Sequence, residues 1–442
     1  MKAFSNEQGQ SSLEDEIPKV RQRPKRFSLL KIMGNRGLFS YNYGVPTPKP
    51  SDKKVDTEAI SVLYQELRVR IDEELRAAGF IVNGESLELP TGEAKEIYRK
   101  LHRDQRLEKL STSKKTIKIW EDEFISSLAK PDQIDIGQIT PRIRVVETER
   151  DRGIFNYASL TWSVPVSKGF GRRTYFLVED AQNDKLIGIF ALGDPVYNLG
   201  VRDRAIGWNQ DQKAKRLYNV FDSFVCGSIE PYRQILGGKL IAMLTTSSEV
   251  INLLQIKYAG KQTFISEEIK DSRPALITVT SALGRSSIYN RLRYEQRYLL
   301  KSFGYTKGFG HFHFSPSLYS DLLEVAKKHP LYSGTEFGAG ANWKIRTLRQ
   351  ALALIGVSSN YMQHGLTREV FLGELAPETM SFLRGETDEL NYYSNSIEQT
   401  SQYWMKRWVS TREQLKDKIT DFDPDSIRIS KEIGLERDLT IF

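Results

Sequence analysis

Residues 174–193 read TYFLVEDAQNDKLIGIFALG, and this stretch decides the fold. Two apolar runs are separated by the polar segment AQND, which is typical of a tight turn between paired strands. Apolar side chains occupy successive positions in both runs, so we expect other elements to cover both faces of the strands. The pattern predicts a β-hairpin in the interior of a layered domain.

Further apolar runs follow the hairpin. Leu217–Cys226 predicts a third buried strand, and Ala275–Thr280 predicts a fourth. Residues 239–254 repeat apolar positions at helical spacing and predict an amphipathic helix. Residues 285–292 (RSSIYNRL) favour a short helix, and residues 303–314 (FGYTKGFGHFHF) favour a glycine-rich aromatic strand. Strands that alternate with helices predict a mixed sheet covered by helices.

The predicted fold class is therefore α/β (mixed α+β), with four regions along the chain. A basic, largely irregular arm (1–56) ends in the linker GVPTPKPSDKK, and helical periodicity follows it. A helical N-terminal domain (57–140), the α/β core (141–315) and a helical C-terminal extension (316–442) complete the chain.

Composition narrows the class of protein. The 442 residues are 39% hydrophobic and 27% charged, which is typical of a globular protein. Apolar runs are far shorter than the roughly 20 residues of a membrane span, and MKAFSNEQGQSSLEDEIPK lacks the apolar centre of a secretory signal. We therefore expect a cytoplasmic protein without membrane contact.

A net charge of +8 favours anionic partners such as nucleic acid, and its distribution is uneven. From Lys19 to Ser51 the chain has no acidic residue, whereas basic residues are interleaved with aromatic ones. Such an arm suits phosphate contacts and base stacking. A solvated tail without any ligand is the alternative. The cations predicted to contact nucleic acid here are Arg21, Arg23, Lys25 and Arg26.

A second basic segment runs from Arg285 to Lys307. It contains four arginines and two lysines against one acid, Glu295, with four tyrosines among them. Guanidinium groups beside aromatic rings suit a nucleic-acid backbone and its unstacked bases. The alternative is an amphipathic helix with a solvated basic face. The residues predicted to bind are Arg285, Arg291, Arg293 and Arg297.

Conventional catalytic and metal sites receive little support. The single cysteine, Cys226, excludes an intramolecular disulfide and a cysteine-rich zinc site, and we expect it to pack as a small apolar residue. The chain has five histidines, and His102, His329 and His364 are not set beside a nucleophile motif. His311 and His313 would share one strand face, but no third ligand accompanies them. No catalytic residue, metal or cofactor is predicted.

The segment RDRAIGW, residues 202–208, combines a dense charge cluster with a tryptophan. On an extended segment Asp203 would face inward to pair with a core arginine, while Arg202 and Arg204 would project together towards a partner or ligand. Gly207 would permit a tight turn, and Trp208 would bury its ring. This predicts a structural role for Asp203, Gly207 and Trp208.

Residues 234–239 read QILGGK and follow the third predicted strand. With the hairpin before it and the segment FGYTKGF after it, this region resembles the GCN5-related N-acyltransferase fold. The resemblance implies that Gln234, Gly237 and Gly238 lie in a loop whose amides bind the pyrophosphate of coenzyme A. Lys239 stands where that family has a small residue, and its side chain would crowd the pyrophosphate or bind it. Tight strand-to-helix packing without a ligand is the alternative.

A second resemblance covers about residues 60–315. It rests first on the RDR-x-IGW block and on the strand, proline-containing loop and helix that follow it. The closing segments SSIYNRLRY and FGYTKGFG and the segment IYRKLHRDQR near the start add to it. These features resemble the DruA family of the Druantia anti-phage defence system. The resemblance implies an accessory protein that works with other defence-system proteins, such as a large helicase, without an established catalytic activity. An N-acyltransferase that uses acyl-coenzyme A is the alternative function.

Overall fold

The computed structural model describes residues 57–435 apart from 167, 168, 170, 264–266, 331, 333 and 335–342. The predicted basic arm, residues 1–56, lies outside this part of the chain. The described residues belong to one compact unit that spans Asp56–Phe442. Its fold is mixed α/β, as the sequence predicts.

The N-terminal part of this unit is helical apart from one hairpin that the sequence analysis did not predict. It contains α1 (Thr57–Ala78), β1 (Ile81–Asn83), β2 (Ser86–Glu88), α2 (Ala94–Leu101), α3 (Arg103–Thr112) and α4 (Lys114–Ser126). His102 separates α2 from α3 within the predicted helical region. Its ring bonds to the Tyr98 carbonyl, 2.7 Å away, so the helix boundary is occupied by a buried side chain.

The middle of the chain alternates strands and helices. It contains β3 (Pro141–Val145), α5 (Glu149–Leu160), β4 (Arg173–Asp180), β5 (Lys185–Gly193), α6 (Gly200–Ile206), α7 (Gln210–Arg216), β6 (Val220–Ser228), α8 (Gly237–Leu244), α9 (Ser248–Tyr258), β7 (Leu276–Thr280), β8 (Leu292–Tyr294) and β9 (Arg297–Tyr305). The C-terminal part contains α10 (Pro316–Ala326), α11 (Trp343–Leu354), β10 (Glu369–Glu374), α12 (Thr379–Arg384), α13 (Ile397–Trp404) and α14 (Ile429–Glu432).

Strands β3–β10 form one sheet in the order β3-β4-β5-β6-β7-β10-β9-β8. The hairpin β4–β5 confirms the strongest prediction from the sequence. Phe176 and Phe190 lie opposite each other on it, fully buried, with ring centroids 4.4 Å apart. One face of the sheet packs against α8, α9 and α13, and the other packs against α4 and α5. Both faces of the hairpin are covered, which explains its unbroken apolar runs.

The β6–β7 pair is parallel, whereas the other neighbouring strands are antiparallel. Its ladder is short and joins Val220–Asp222 to Leu276–Thr278. Beyond this ladder the Tyr289 hydroxyl donates to the Cys226 carbonyl of β6 at 3.4 Å, and the Tyr289 ring is 5.4 Å from Phe371 of β10 between ring centroids. A buried tyrosine thus contacts both strands.

Three predicted elements differ from the structure in the core. Residues 239–254 form two helices, because the hydroxyls of Thr245, Thr246 and Ser247 donate to carbonyls of the preceding turn and end α8. Residues 285–292 form turns rather than a helix and lead into β8. Residues 306–314 form a loop after β9, where Gly308 has φ +65° and a Cβ would lie 2.7 Å from the Gly365 carbonyl carbon.

The predicted helical extension also contains a central strand. β10 lies between β7 and β9, so the sheet continues beyond residue 315. Its six residues EVFLGE are too short a run for a helix or strand to be told apart by periodicity. Within the predicted helical extension, α13 is followed by a π-turn over Met405–Val409, which keeps Trp404 and Trp408 buried against the sheet.

The N-terminal and C-terminal helices share a second apolar cluster. Leu67, Ile71 and Leu75 of α1 pack with residues of α10 and α11. These segments are far apart in sequence, so the cluster closes the unit through long-range burial. None of the described helices is long and apolar enough to cross a membrane.

Candidate nucleic-acid interface

The β8–β9 hairpin forms one edge of the sheet and carries two of the predicted binding arginines, Arg293 and Arg297. Arg293 lies directly opposite Tyr298, and Tyr294 lies opposite Arg297. A two-residue turn joins the strands, with Glu295 in the left-handed region at φ +54°. Each pair places an arginine beside a tyrosine. Successive residues of a strand point to opposite faces, so the Arg293–Tyr298 pair lies on one face of the hairpin and the Tyr294–Arg297 pair lies on the other, towards α13.

Arg293 stacks on the tyrosine across from it. The guanidinium carbon is 3.9 Å from the centre of the Tyr298 ring, and Nη2 donates to the Tyr298 hydroxyl. The Tyr298 side chain is exposed, at 40%. The Arg293 side chain is half-buried, and the exposed tyrosine ring beside it is accessible to a ligand.

Arg297 makes a similar contact with the chain segment before α13. Its guanidinium carbon is 4.0 Å from the centre of the Tyr393 ring, and Nη2 donates to Asn395 Oδ1 at 2.9 Å. Burial lowers the pKa of Arg297 from its ordinary value, although the group stays charged at neutral pH. The arginine is positioned by a ring and an amide rather than by a carboxylate.

Aromatic contacts extend this surface onto α13. Tyr294 is 5.3 Å from Tyr403, and Tyr403 is 6.1 Å from Trp408, measured between ring centroids. Arg407 stacks on Trp408 at 5.3 Å, and the Lys239 ammonium is 5.5 Å from the same ring. We call Arg293, Arg297, Tyr298, Lys239, Arg407, Trp408 and Arg412, which lie around both faces of this sheet edge, the basic–aromatic surface.

Positive charge accumulates on this surface. Burial, together with the Arg412 and Arg407 guanidinium groups, lowers the pKa of Lys239 to about 8. Its Nζ donates to the carbonyls of Ser287 and Ile288, 2.9 Å away in each case. A cation with a lowered pKa gains stability from an approaching anion. Arg407 and Arg412 were not predicted from the sequence, although residues 405–412, MKRWVSTR, combine cations with a tryptophan.

The cations of the basic–aromatic surface differ from most other arginines of the unit. Within the part of the chain that is described, none of them has a carboxylate oxygen within 4.0 Å. Elsewhere, Arg142, Arg144, Arg172 and Arg216 are paired with aspartate or glutamate. The charge of the basic–aromatic surface is therefore not neutralised locally.

The other residues predicted to contact nucleic acid lie outside the β8–β9 hairpin. Arg285 and Arg291 are exposed in the loop that leads into β8, next to the basic–aromatic surface in sequence. Arg21, Arg23, Lys25 and Arg26 lie outside the described residues. Their part in binding stays a prediction.

RDRAIGW adopts a conformation that corrects one expectation. The segment is helical, as α6, so Arg202 and Arg204 do not project from one face. Arg202 is fully buried, whereas Arg204 is exposed. The predicted shared face of Arg202 and Arg204 is wrong, because a helix separates positions two residues apart by more than half a turn.

The charges of α6 form a buried network. Arg202 donates to Asp203 Oδ1 at 2.6 Å and to the carbonyls of Val196 and Tyr197, both at 2.9 Å. Lys213 donates to Asp203 Oδ2 at 2.7 Å. One carboxylate thus accepts from two cations.

Gly207 and Trp208 close this helix. Gly207 follows α6 in the left-handed region at φ +82°, which a side chain would strain. Trp208 Nε1 donates to the Leu383 carbonyl at 2.7 Å, which ties the segment to α12. The contacts around RDRAIGW all serve packing, and a structural role for Asp203, Gly207 and Trp208 stays our prediction.

The glycine loop before α8 is closed rather than open. The Gly237 amide donates to the Tyr232 carbonyl at 2.9 Å, and the Lys239 amide donates to the Leu236 carbonyl at 3.0 Å. A Cβ at Gly238 would contact Ile288, and Trp404 Nε1 donates to the Leu236 carbonyl. Gln234 is exposed and donates to Glu230. This geometry favours the packing alternative over a coenzyme A site at these residues.

The histidines form a buried cluster with Phe312. Rings of His102 and Phe312 stack at 4.4 Å, and His313 is 5.4 Å from His364. His311 and His313 lie in the loop after β9, so the predicted common strand face is wrong. The described residues contain no group of three or more side chains that could hold a metal ion. Burial lowers the pKa of His313 to about 4, so it is neutral at pH 7.

Cys226 is half-buried on β6. Burial raises the pKa of its thiol to about 12, so the reactive thiolate is absent at neutral pH.

Comparison with known proteins identifies the family of this chain. Residues 92–385 match the family described as Druantia protein DruA. The chain is 38% identical over 359 residues to the Druantia protein DruA of Escherichia coli (strain UMEA 4076-1), which covers 80% of this chain and 88% of that protein. No solved structure matches significantly. The matched range includes α6 and the β8–β9 hairpin, whereas Arg407, Trp408 and Arg412 lie beyond it. The chain therefore belongs to the DruA family.

Proposed function

We propose that this chain acts in Druantia anti-phage defence by binding single-stranded nucleic acid on the basic–aromatic surface. Membership of the DruA family supports the role in defence. The observation that carries the binding proposal is the Arg293–Tyr298 pair on the sheet edge, in which a half-buried guanidinium stacks at 3.9 Å on an exposed ring. Among the described residues, Arg293 has no carboxylate partner.

The chemistry of this surface fits an unpaired strand. Phosphates approach cations whose charge is not neutralised, and unpaired bases stack on tyrosine and tryptophan rings. Charged residues on an edge strand also prevent unwanted strand pairing. Protection of the edge alone requires the charges of Arg293 and Arg297, but not the stacked rings of Tyr298, Tyr393 and Trp408 beside them.

The basic arm adds to the same function. Its acid-free stretch from Lys19 to Ser51 would supply further phosphate contacts through Arg21, Arg23, Lys25 and Arg26. We propose that the arm increases affinity without base selectivity, since it combines cations with glycine and proline. Arg204 is exposed and would contact another defence-system protein, such as a large helicase.

A salt titration tests this function. Affinity of the full chain for a fluorescent single-stranded oligonucleotide is measured by anisotropy at several salt concentrations. We expect log affinity to fall linearly with log salt, by about 0.7 per phosphate contact on a single strand. A chain without residues 1–56 should bind more weakly and with a smaller slope. Absence of salt-dependent binding by the full chain to any single strand or duplex at low salt would refute the proposal.

The acyltransferase alternative receives no specific support. The amides of Gly237 and Lys239 donate within the protein, and the Tyr289 hydroxyl donates to the β6 carbonyl of Cys226. A pyrophosphate would require free amides at the start of α8. We therefore propose no acyl-coenzyme A chemistry for this chain.

A further inference from the structure

Three cations of the basic–aromatic surface lie around one tryptophan. The Lys239 ammonium is 5.5 Å from the centre of the Trp408 ring, and the Arg407 guanidinium carbon is 5.3 Å from it. Arg412 Nη1 donates to the Trp408 carbonyl at 2.5 Å. Trp408 is 8% exposed, so a buried residue holds the three cations in place. We call Lys239, Arg407 and Arg412 the cation cluster.

The charges of the cation cluster are not neutralised by the protein. Among the side chains that the structure describes, no carboxylate oxygen lies within 4.0 Å of any of the three cationic groups. Burial, followed by the Arg412 and Arg407 guanidinium groups, lowers the pKa of Lys239 to about 8. Like charges that repel one another gain stability when an anion binds among them.

The cation cluster is accessible from solvent. Arg407 is exposed, and Lys239 and Arg412 are half-buried. Lys239 Nζ donates to the carbonyls of Ser287 and Ile288, which fixes its position. An ammonium group has three N–H donors, so one donor remains beyond these two described contacts. The cluster thus offers an anion both charge and a fixed donor.

The density of positive charge distinguishes the cation cluster from the hairpin. In the hairpin each arginine has a ring of its own, Arg293 on Tyr298 and Arg297 on Tyr393. A phosphate within a strand carries a single negative charge, which one such arginine matches. A terminal phosphate carries a charge of about −1.5 to −2 at pH 7 and has three strong acceptor oxygens. Three cations around one residue therefore match a terminal phosphate better than an internal one.

A row of aromatic rings joins the hairpin to the cation cluster. Tyr294 of β8 is 5.3 Å from Tyr403, and Tyr403 is 6.1 Å from Trp408, measured between ring centroids. Tyr294 and Tyr403 are half-buried, so part of each ring is accessible to a base. A strand that follows this row from the hairpin brings its end to the cation cluster.

We propose that the cation cluster binds the terminal phosphate of a single strand whose neighbouring nucleotides lie along the aromatic row. This inference rests on the proposed function, because it requires that a single strand binds to the basic–aromatic surface. It goes beyond that function by assigning recognition of a phosphorylated strand end to Lys239, Arg407 and Arg412.

Three oligonucleotides of one sequence test the inference, each labelled on an internal base. One carries a 5′-phosphate, one carries a 3′-phosphate, and one has hydroxyl groups at both ends. Anisotropy gives their affinities for the full chain. We expect at least one phosphorylated strand to bind about tenfold more tightly than the hydroxyl strand, and the two phosphorylated strands show which end is recognised. Equal affinity for all three would overturn this inference and leave the proposed function standing, whereas absence of binding to all three would overturn both.

Two variants locate the phosphate contact through the ratio of the affinities for the phosphorylated and hydroxyl strands. Arg407→Gln changes an exposed side chain, so the melting temperature should stay unchanged while the ratio falls at least about threefold. Lys239→Gln should bring the ratio close to one. Because both affinities are measured on one protein, a general loss of stability cancels.

Arg293→Ala is the matched control, because it removes a cation of the same surface outside the cation cluster. It should weaken binding of both strands and keep the ratio of the parent. A parental ratio in both Arg407→Gln and Lys239→Gln, or a ratio close to one in Arg293→Ala, would contradict the inference.

Discussion

Arginine stands beside an aromatic ring in both α6 and the β8–β9 hairpin, but the two regions use it differently. In α6, Arg202 is fully buried, shares Asp203 with Lys213 and lies 5.5 Å from the Trp208 ring. In the hairpin, Arg293 stacks on an exposed Tyr298 and has no carboxylate partner among the residues that the structure describes. The same pair of residue types therefore serves packing in one region and is available to a ligand in the other.

Electrostatics explain the difference. A buried guanidinium loses its hydration, and it is retained where a carboxylate and carbonyls replace the water. Burial lowers the pKa of Arg202, and Asp203 opposes that shift. An exposed guanidinium keeps its hydration and can exchange it for a phosphate. Removal of the carboxylate should affect the first region, and removal of the arginine should affect the function of the second.

The largest expected effect is at Asp203. Asp203→Ala leaves the Arg202 guanidinium and the Lys213 ammonium without their common acceptor, so we expect a loss of about 3–5 kcal/mol in the free energy of unfolding. Denaturant unfolding measures it. Asp211→Ala changes an exposed aspartate on the neighbouring helix α7 and should cost less than about 1 kcal/mol. A fully stable Asp203→Ala protein would show that the network does not hold α6.

The second-largest expected effect concerns the histidine cluster, which buries imidazole rings without carboxylates beside them. Burial lowers the pKa of His102 from 6.5 to about 4. Above pH 6.5 the ring is neutral in both states, and below it the unfolded chain binds the proton first, so stability falls between pH 6.5 and 4. From pH 7 to pH 5 this histidine should cost about 2 kcal/mol.

Comparison with a variant isolates that contribution. His102→Gln cannot titrate, so its unfolding free energy should fall by about 2 kcal/mol less than that of the parent between pH 7 and pH 5. The difference between the two pH values is informative even if the variant is weaker at both. Identical pH dependence in the two proteins would show that His102 titrates normally when folded.

The smallest expected effect is at Arg204. It lies two residues from Arg202 on the same helix but is exposed. Arg204→Ala should change the free energy of unfolding by less than about 0.5 kcal/mol. The melting temperatures of Arg204→Ala and Asp203→Ala, measured together, provide the comparison. A large loss of stability would mean that exposure does not separate the two arginines.

Short-range patterns in the sequence were sufficient for much of the fold. The turn between two apolar runs predicts β4 and β5, and helical spacing predicts α1 and α4. The pairing of β10 between β7 and β9 depends on burial between segments about 70 to 90 residues apart, which periodicity does not record. Likewise, Gly308 ends the predicted strand early because its backbone contacts Gly365.

The candidate site was predicted in part. Arg293 and Arg297 were found because arginine and tyrosine are close in the sequence. Arg407 and Trp408 join them only through the contact of Tyr403 with Tyr294, more than 100 residues away. In RDRAIGW the sequence located an ion pair around Asp203, but the helical conformation decides which arginine is inside.

The central claim is that the hairpin arginines bind nucleic acid and that the fold does not require them. The most direct measurement uses a double variant that carries Arg293→Ala and Arg297→Ala. Its affinity for a single-stranded oligonucleotide is measured at several salt concentrations, and its melting temperature is measured as well. The control is Arg142→Ala, which removes an exposed arginine paired with Glu179 and Asp184. We predict at least tenfold weaker binding by the double variant, a slope smaller by about 1.4, and a folded protein, with the control unchanged. Parental affinity and slope in a folded double variant would contradict the claim.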